Sequence, residues 1–177
     1  MTNLTRLLHM PASARHVVLA ATTAAIITIS GCASWPPGGL PPGTPIDTAR
    51  HGFASPTAEF PLPNGGTRLE FAQGTFGKQT YMLDFDPSGK LVSTEQVLTE
   101  QNLASIRPGL PEADLMMRIG RPAHVFSVPW QKLHVWNYRF AGGDCVWYQI
   151  SVSDVERAVT QSSLGSDPSC DGPNSKD

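Results

Sequence analysis

Residues 41–63 (PPGTPIDTARHGFASPTAEFPLP) and 107–129 (RPGLPEADLMMRIGRPAHVFSVP) superimpose on a shift of 66 positions. Pro42 falls on Pro108, Gly43 on Gly109, Pro45 on Pro111, Pro56 on Pro122, Phe60 on Phe126 and Pro63 on Pro129. A repeat at this spacing constrains the fold strongly, because each copy has to build the same supersecondary unit. Most of the shared residues are Pro or Gly, which punctuate elements rather than fill them, so what repeats is a set of corners. Past these corners, Leu69 and Phe71 answer Trp136 and Tyr138 once one residue is gapped. The chain is therefore read as a duplicated unit.

The second copy shows its local chemistry more clearly. Pro111 suits the first turn of a helix, where a missing N–H costs nothing. Glu112 and Asp114 lie near the positive end of that helix, and Leu115, Met116 and Ile119 give it an apolar face. Gly120 offers a left-handed stop, and Pro122 forbids continuation. Alternating residues then predict strands at Val125–Val128, Leu133–Phe140 and Cys145–Val152, with a short last strand at Arg157–Gln161. In the first copy strands are expected at Ala58–Leu62, Thr67–Phe71, Gln79–Phe85 and Lys90–Leu98, turning at Asn64-Gly65-Gly66 and Asp86-Pro87-Ser88-Gly89. Thr99 is positioned to cap a short helix over Glu100–Ile106. The expected class is α+β: two small helix-plus-antiparallel-sheet units, the C-terminal one more complete. The units fall at residues 42–98 and 99–165, with a tail at 166–177.

The N-terminus fixes the expected address. Residues 1–31 carry Arg6 and Arg15 and no acidic residue, and Val17–Ile29 is an apolar run closed by Ser30-Gly31-Cys32. As a helix the run rises only about 20 Å, short of the roughly 30 Å hydrocarbon core, so it suits a signal better than a span. The pattern resembles the signal and lipobox of bacterial lipoproteins. The resemblance implies cleavage before Cys32, covalent lipid on its sulfur, and anchoring by two or more acyl chains. With Ala33 after the cysteine, it also points to the outer membrane. An ordinary secretory signal or a short uncleaved anchor are the alternatives. Residues 32–41 would then be the acylated cysteine and a Pro/Gly linker that holds the folded part off the bilayer.

Loss of the signal takes Arg6 and Arg15 with it, so the formal net charge goes from −2 to −4. A weakly acidic chain with no basic run is a poor partner for nucleic acid. With Cys32 assigned to lipid, Cys145 and Cys170 are left as an even pair in an oxidising compartment. An intramolecular disulfide is the favoured reading; two free thiols or an intermolecular bridge are the alternatives.

Gly109, Leu115, Gly120, Pro122, Trp136 and Tyr138 together resemble the motif of the SmpA/OmlA (BamE-like) family of outer-membrane lipoproteins: a glycine, a short helix, an apolar-Gly-x-Pro corner and a W-x-Y strand. The match covers about residues 100–160 well and 42–98 loosely. In the first copy Ala54 stands where the second has Gly120, and the helix is poorly apolar. The doubled arrangement is similar to the tandem fold of the β-lactamase inhibitor protein family. The resemblance implies a non-catalytic lipoprotein that binds an envelope protein, possible partners including the β-barrel assembly machinery. It would be accessory to outer-membrane protein assembly or envelope integrity. A periplasmic inhibitor or ligand-binding module is the alternative.

Among Trp130, Trp136, Tyr138, Trp147 and Tyr148, alternate members are expected to fill the core. An outward set, Trp130 and Tyr148 with Arg121 and Arg139, is the candidate partner-binding surface, since aromatics and arginine dominate interface hot spots. No catalytic site is expected. His134 with Cys145 and Asp144 lacks a nucleophile motif, and Gly74-Thr75-Phe76-Gly77 is a turn with no phosphate-loop Lys following. No metal or other cofactor is expected, because His124 and His134 lack a third ligand at metal-typical spacing and Asp84/Asp86 fits a turn device.

Overall fold

A computed structural model describes residues 37–52 and 54–170. The signal-like segment, Cys32, the first part of the linker and residues 171–177 lie outside the described residues. The architecture is mixed α+β, with few helices and two four-stranded antiparallel sheets. Helix α1 (Ile46–Gly52) precedes β1 (Ala58–Pro61), β2 (Thr67–Ala72), β3 (Thr80–Phe85) and β4 (Leu91–Gln96). Helices α2 (Glu100–Ala104) and α3 (Glu112–Ile119) precede β5 (His124–Val128), β6 (Leu133–Tyr138), β7 (Val146–Ser153) and β8 (Val159–Ser166). Each sheet is a meander in chain order. Among the described residues no helix is long and apolar enough to cross a membrane.

Local chemistry accounts for the elements. Thr99 caps α2, its side chain accepting from the Asn102 N–H at 3.2 Å. Pro111 opens α3, and Gly120 ends it at φ +77. The last strand, β8, runs further than the alternation predicts. Its Ser162–Ser166 half has no apolar period to read and is drawn into the sheet by pairing with β7.

The repeat recurs in the hydrogen bonds. The Gly43 N–H donates to the Leu91 carbonyl at 2.8 Å, and the Gly109 N–H to the Val159 carbonyl at 2.8 Å. Leu91 and Val159 return the bond to Thr44 and Leu110. Ile46 donates to Gly89, and Glu112 to Arg157. In the sheets Leu69 pairs with Leu83 as Trp136 pairs with Ile150, and Phe85 with Leu91 as Val152 with Val159. The register shift between Asp84 and Phe85 has its counterpart between Ser151 and Val152. The gap that matches Leu69 and Phe71 to Trp136 and Tyr138 is thus the one the strand pairing uses.

Each sheet buries one face in its own apolar cluster. The first holds Ala49, Leu69, Phe71, Leu83, Phe85 and Leu91. The second packs Leu103, Ile106, Leu115 and Ile119 of the α2–α3 region on Trp136, Tyr138, Phe140, Ile150, Val152 and Val159. Each fully buried Leu, Ile or Phe among them contributes roughly 1.5–3 kcal/mol. Ala49 occupies in α1 the place Leu115 has in α3, so a smaller cluster forms under the less apolar helix.

Candidate functional site

The opposite face of the first sheet receives the corner between α3 and β5. Arg68 forks onto Asp84 at 2.6 and 2.7 Å, and its remaining nitrogen donates to the Met117 carbonyl at 2.7 Å near the end of α3. Glu70 is fully buried there. Its Oε1 accepts from the Thr57 hydroxyl at 2.9 Å and the Arg121 N–H at 3.2 Å, while Oε2 has no hydrogen-bond partner among the described residues. Burial pushes the Glu70 carboxyl above its usual pKa, against those two hydrogen bonds and the Arg121 charge. Gly120 lets the corner come this close. A Cβ on it would sit 3.0 Å from Thr80 Cγ2 and 3.1 Å from Glu70 Cδ and Met82 Cε. The Tyr138 hydroxyl donates to the Gly120 carbonyl at 3.0 Å, and burial holds that hydroxyl well above its ordinary pKa.

Beside this corner lies a half-open cleft of about 190 Å³. Its walls come from Thr57, Thr80, Leu98, Pro122 and Tyr138, closed on one side by the β2–β3 loop.

On the second sheet the face away from the core carries a row of rings. Arg139 sits between Phe76, 5.0 Å from its guanidinium carbon, and Trp147, at 5.1 Å. Trp147 continues to His124 at 5.9 Å and Phe126 at 6.0 Å, and those two rings lie 4.4 Å apart. Trp147 is buried, whereas Phe76 is 76% and Phe126 41% exposed. Asn137 lies beneath, buried and hydrogen-bonded to the His124 and Val135 carbonyls and to Gln149.

The predicted outward set is only partly brought together. Trp130, in the turn after β5, is 80% exposed, and Arg121 is exposed beside the cleft. The expectation for Tyr148 and Arg139 needs correction. Tyr148 is half-buried against the second core, its hydroxyl 3.2 Å from Ser162 Oγ. Arg139 is buried, its guanidinium engaged by both Asp167 oxygens, Ser169 and the Thr75 carbonyl. An arginine whose donors are so occupied is not available to a partner. The Asp167 carboxyl is held well below the usual range, chiefly by Arg139. Phe76, Phe126 and His124 were missed as surface residues. Phe126 had a signal in its alternation with Val125, but Phe76 lay in a segment read only as a turn.

Cys145 and Cys170 are bonded, with Cα atoms 5.6 Å apart. His134 contacts Asp154 rather than Asp144, which pairs with Lys78 at 2.7 Å. Asp84 and Asp86 have separate duties. Asp84 pairs with Arg68, while Asp86 accepts from Ser88 and Lys90 as a turn device. Among the described residues no cluster of His, Cys, Asp and Glu is arranged to hold a metal. No protein-family model, curated protein or solved structure matches the chain.

Proposed function

We propose that this protein is an outer-membrane-anchored lipoprotein that acts by binding another envelope protein, as an accessory to outer-membrane protein assembly or envelope integrity. Its folded part is read as two small helix-plus-antiparallel-sheet units of the SmpA/OmlA (BamE-like) kind, residues 42–98 and 99–165. The recurrence of strand pairing, bulge and glycine corner supports that reading. Cys32 supplies the anchor and Pro/Gly residues the tether.

The observation that carries the binding role is the ring row on the second sheet, exposed at Phe76 and Phe126, with Trp130 exposed at the end of the same sheet. Aromatic anchors of this type are enriched in protein interfaces, and clustered exposed apolar residues mark interaction sites. Trp130 keeps its place in the partner surface from the predicted set, with Arg121 at its margin. One observation favours the alternative, a periplasmic inhibitor or ligand-binding module: the half-open cleft between the sheets.

Photo-crosslinking in intact cells from positions 126 and 130 tests the choice. Adducts with the β-barrel assembly machinery are expected. Recovery of a soluble envelope enzyme in their place would reject the assembly role and select the inhibitor reading.

A further inference from the structure

The β2–β3 loop, residues 73–79, belongs to the first sheet but is held by the second. Its Thr75 carbonyl accepts from Arg139, the Phe76 ring covers the same guanidinium, and Lys78 pairs with Asp144 at 2.7 Å. Gly77 donates to Gly74 at 3.0 Å and Gln73 to Gln79 at 3.1 Å. Gly74, Thr75, Gly77 and Gln79 form one wall of the cleft.

Arg139 is aimed at the loop by Asp167, which forks onto its Nε and Nη2, and Ser169 adds a bond to Nη2. Asp167 lies beside the disulfide, bonded through its backbone to both half-cystines. Its N–H donates to the Cys145 carbonyl at 3.0 Å, and the Cys170 N–H donates to the Asp167 carbonyl at 3.0 Å. One line of contacts therefore runs from Cys145–Cys170 through Asp167 and Arg139 to Thr75.

We propose that the Cys145–Cys170 disulfide is a redox-sensitive latch on this loop: oxidised, it holds the loop on the second sheet and closes the cleft wall; reduced, it lets the loop go. Two features suit a bond that opens. Cys145 is exposed, and it sits at φ +56, a left-handed conformation that strains a non-glycine residue. The reductant is a dithiol. One of its thiolates attacks Cys145 Sγ, and the S–S electron pair leaves on Cys170 Sγ, which takes a proton. The second thiol then displaces the mixed disulfide, releasing Cys145 as a thiol and the reductant as its own disulfide. Without the bridge the Asp167–Cys170 segment is held to Cys145 only by the Asp167 N–H bond to its carbonyl, at the open end of the β7–β8 pairing. As that end frays Asp167 leaves Arg139, and a buried guanidinium without its counter-charge moves toward water. Phe76 rides on this loop and also belongs to the ring row, so release would carry one ring away from the proposed binding surface, while the latch itself is read on the protein alone.

Hydrogen exchange of the full mature chain, oxidised and after dithiothreitol, tests it. Exchange across residues 73–79 is expected to rise at least tenfold (~10-fold, the equivalent of about 1.4 kcal/mol of opening), with Trp136–Tyr138 and Ile150 unchanged. An unchanged loop would overturn the latch. So would a rise throughout the second sheet, which would make the bond a global staple. Asp167→Asn with the disulfide intact should free the loop as reduction does; a loop still protected in that variant would refute the route through Arg139.

Discussion

Glu70 and Asp167 are both buried carboxylates, and they respond to pH in opposite directions. Burial raises the Glu70 pKa above its unfolded value, so its contribution is most favourable below that value and is lost as pH rises through the folded one. Asp167 is depressed by Arg139, so its contribution is fully present above the unfolded value, about 4, and is lost as pH falls through the lower folded one. Glu70→Gln is therefore expected to stabilise the fold at pH 7 by on the order of 1 kcal/mol. The gain should shrink toward pH 4, as read from urea midpoints at the two pH values. Asp167→Asn should cost about 3 kcal/mol at pH 7, because it strands a buried guanidinium. Gly120→Ala combines a left-handed backbone with contacts too short on three sides. A loss of roughly 2–4 kcal/mol is expected in denaturant unfolding, with the damage centred on the junction of corner and first sheet.

At the scale of elements, the glycine before α1 and the glycine before α3 do equivalent work. Gly43 and Gly109 stand at φ +83 and +87, and neither has an atom within 4 Å of where a Cβ would lie. Gly43→Ala and Gly109→Ala should thus carry a purely backbone cost, about 1–2 kcal/mol each and nearly equal. Thermal unfolding of the two variants would show it; widely different losses would count against matched corners. These corners were legible in the sequence, because Gly and Pro advertise backbone conformation locally. So were the strands whose residues alternate, such as Leu133–Tyr138, and the turn chemistry of Asp86. What could not be read were pairs far apart in the chain. Glu70 meets Arg121 across 51 residues, and Arg139 meets Asp167 across 28. No periodicity encodes such meetings. For the same reason Arg139, which alternation alone leaves on a sheet face, was expected at the surface although the folded chain closes over it.

For the whole molecule, one covalent bond frames the fold, and a second, the proposed acyl anchor on Cys32, would set its address. The disulfide closes a separation of 25 residues and joins the residue before β7 to the turn after β8. The ring row and the cleft lie on one compact body of the described residues. The proposed role depends on where that body is kept, since a binding surface of this size works best against a partner confined to the same membrane. Palmitate labelling and membrane fractionation of cells carrying the native chain or Cys32→Ser address this directly. The native protein should take up label and sediment with the outer membrane, and Cys32→Ser should lose both properties. Label and membrane association that persist in Cys32→Ser would contradict the lipoprotein reading.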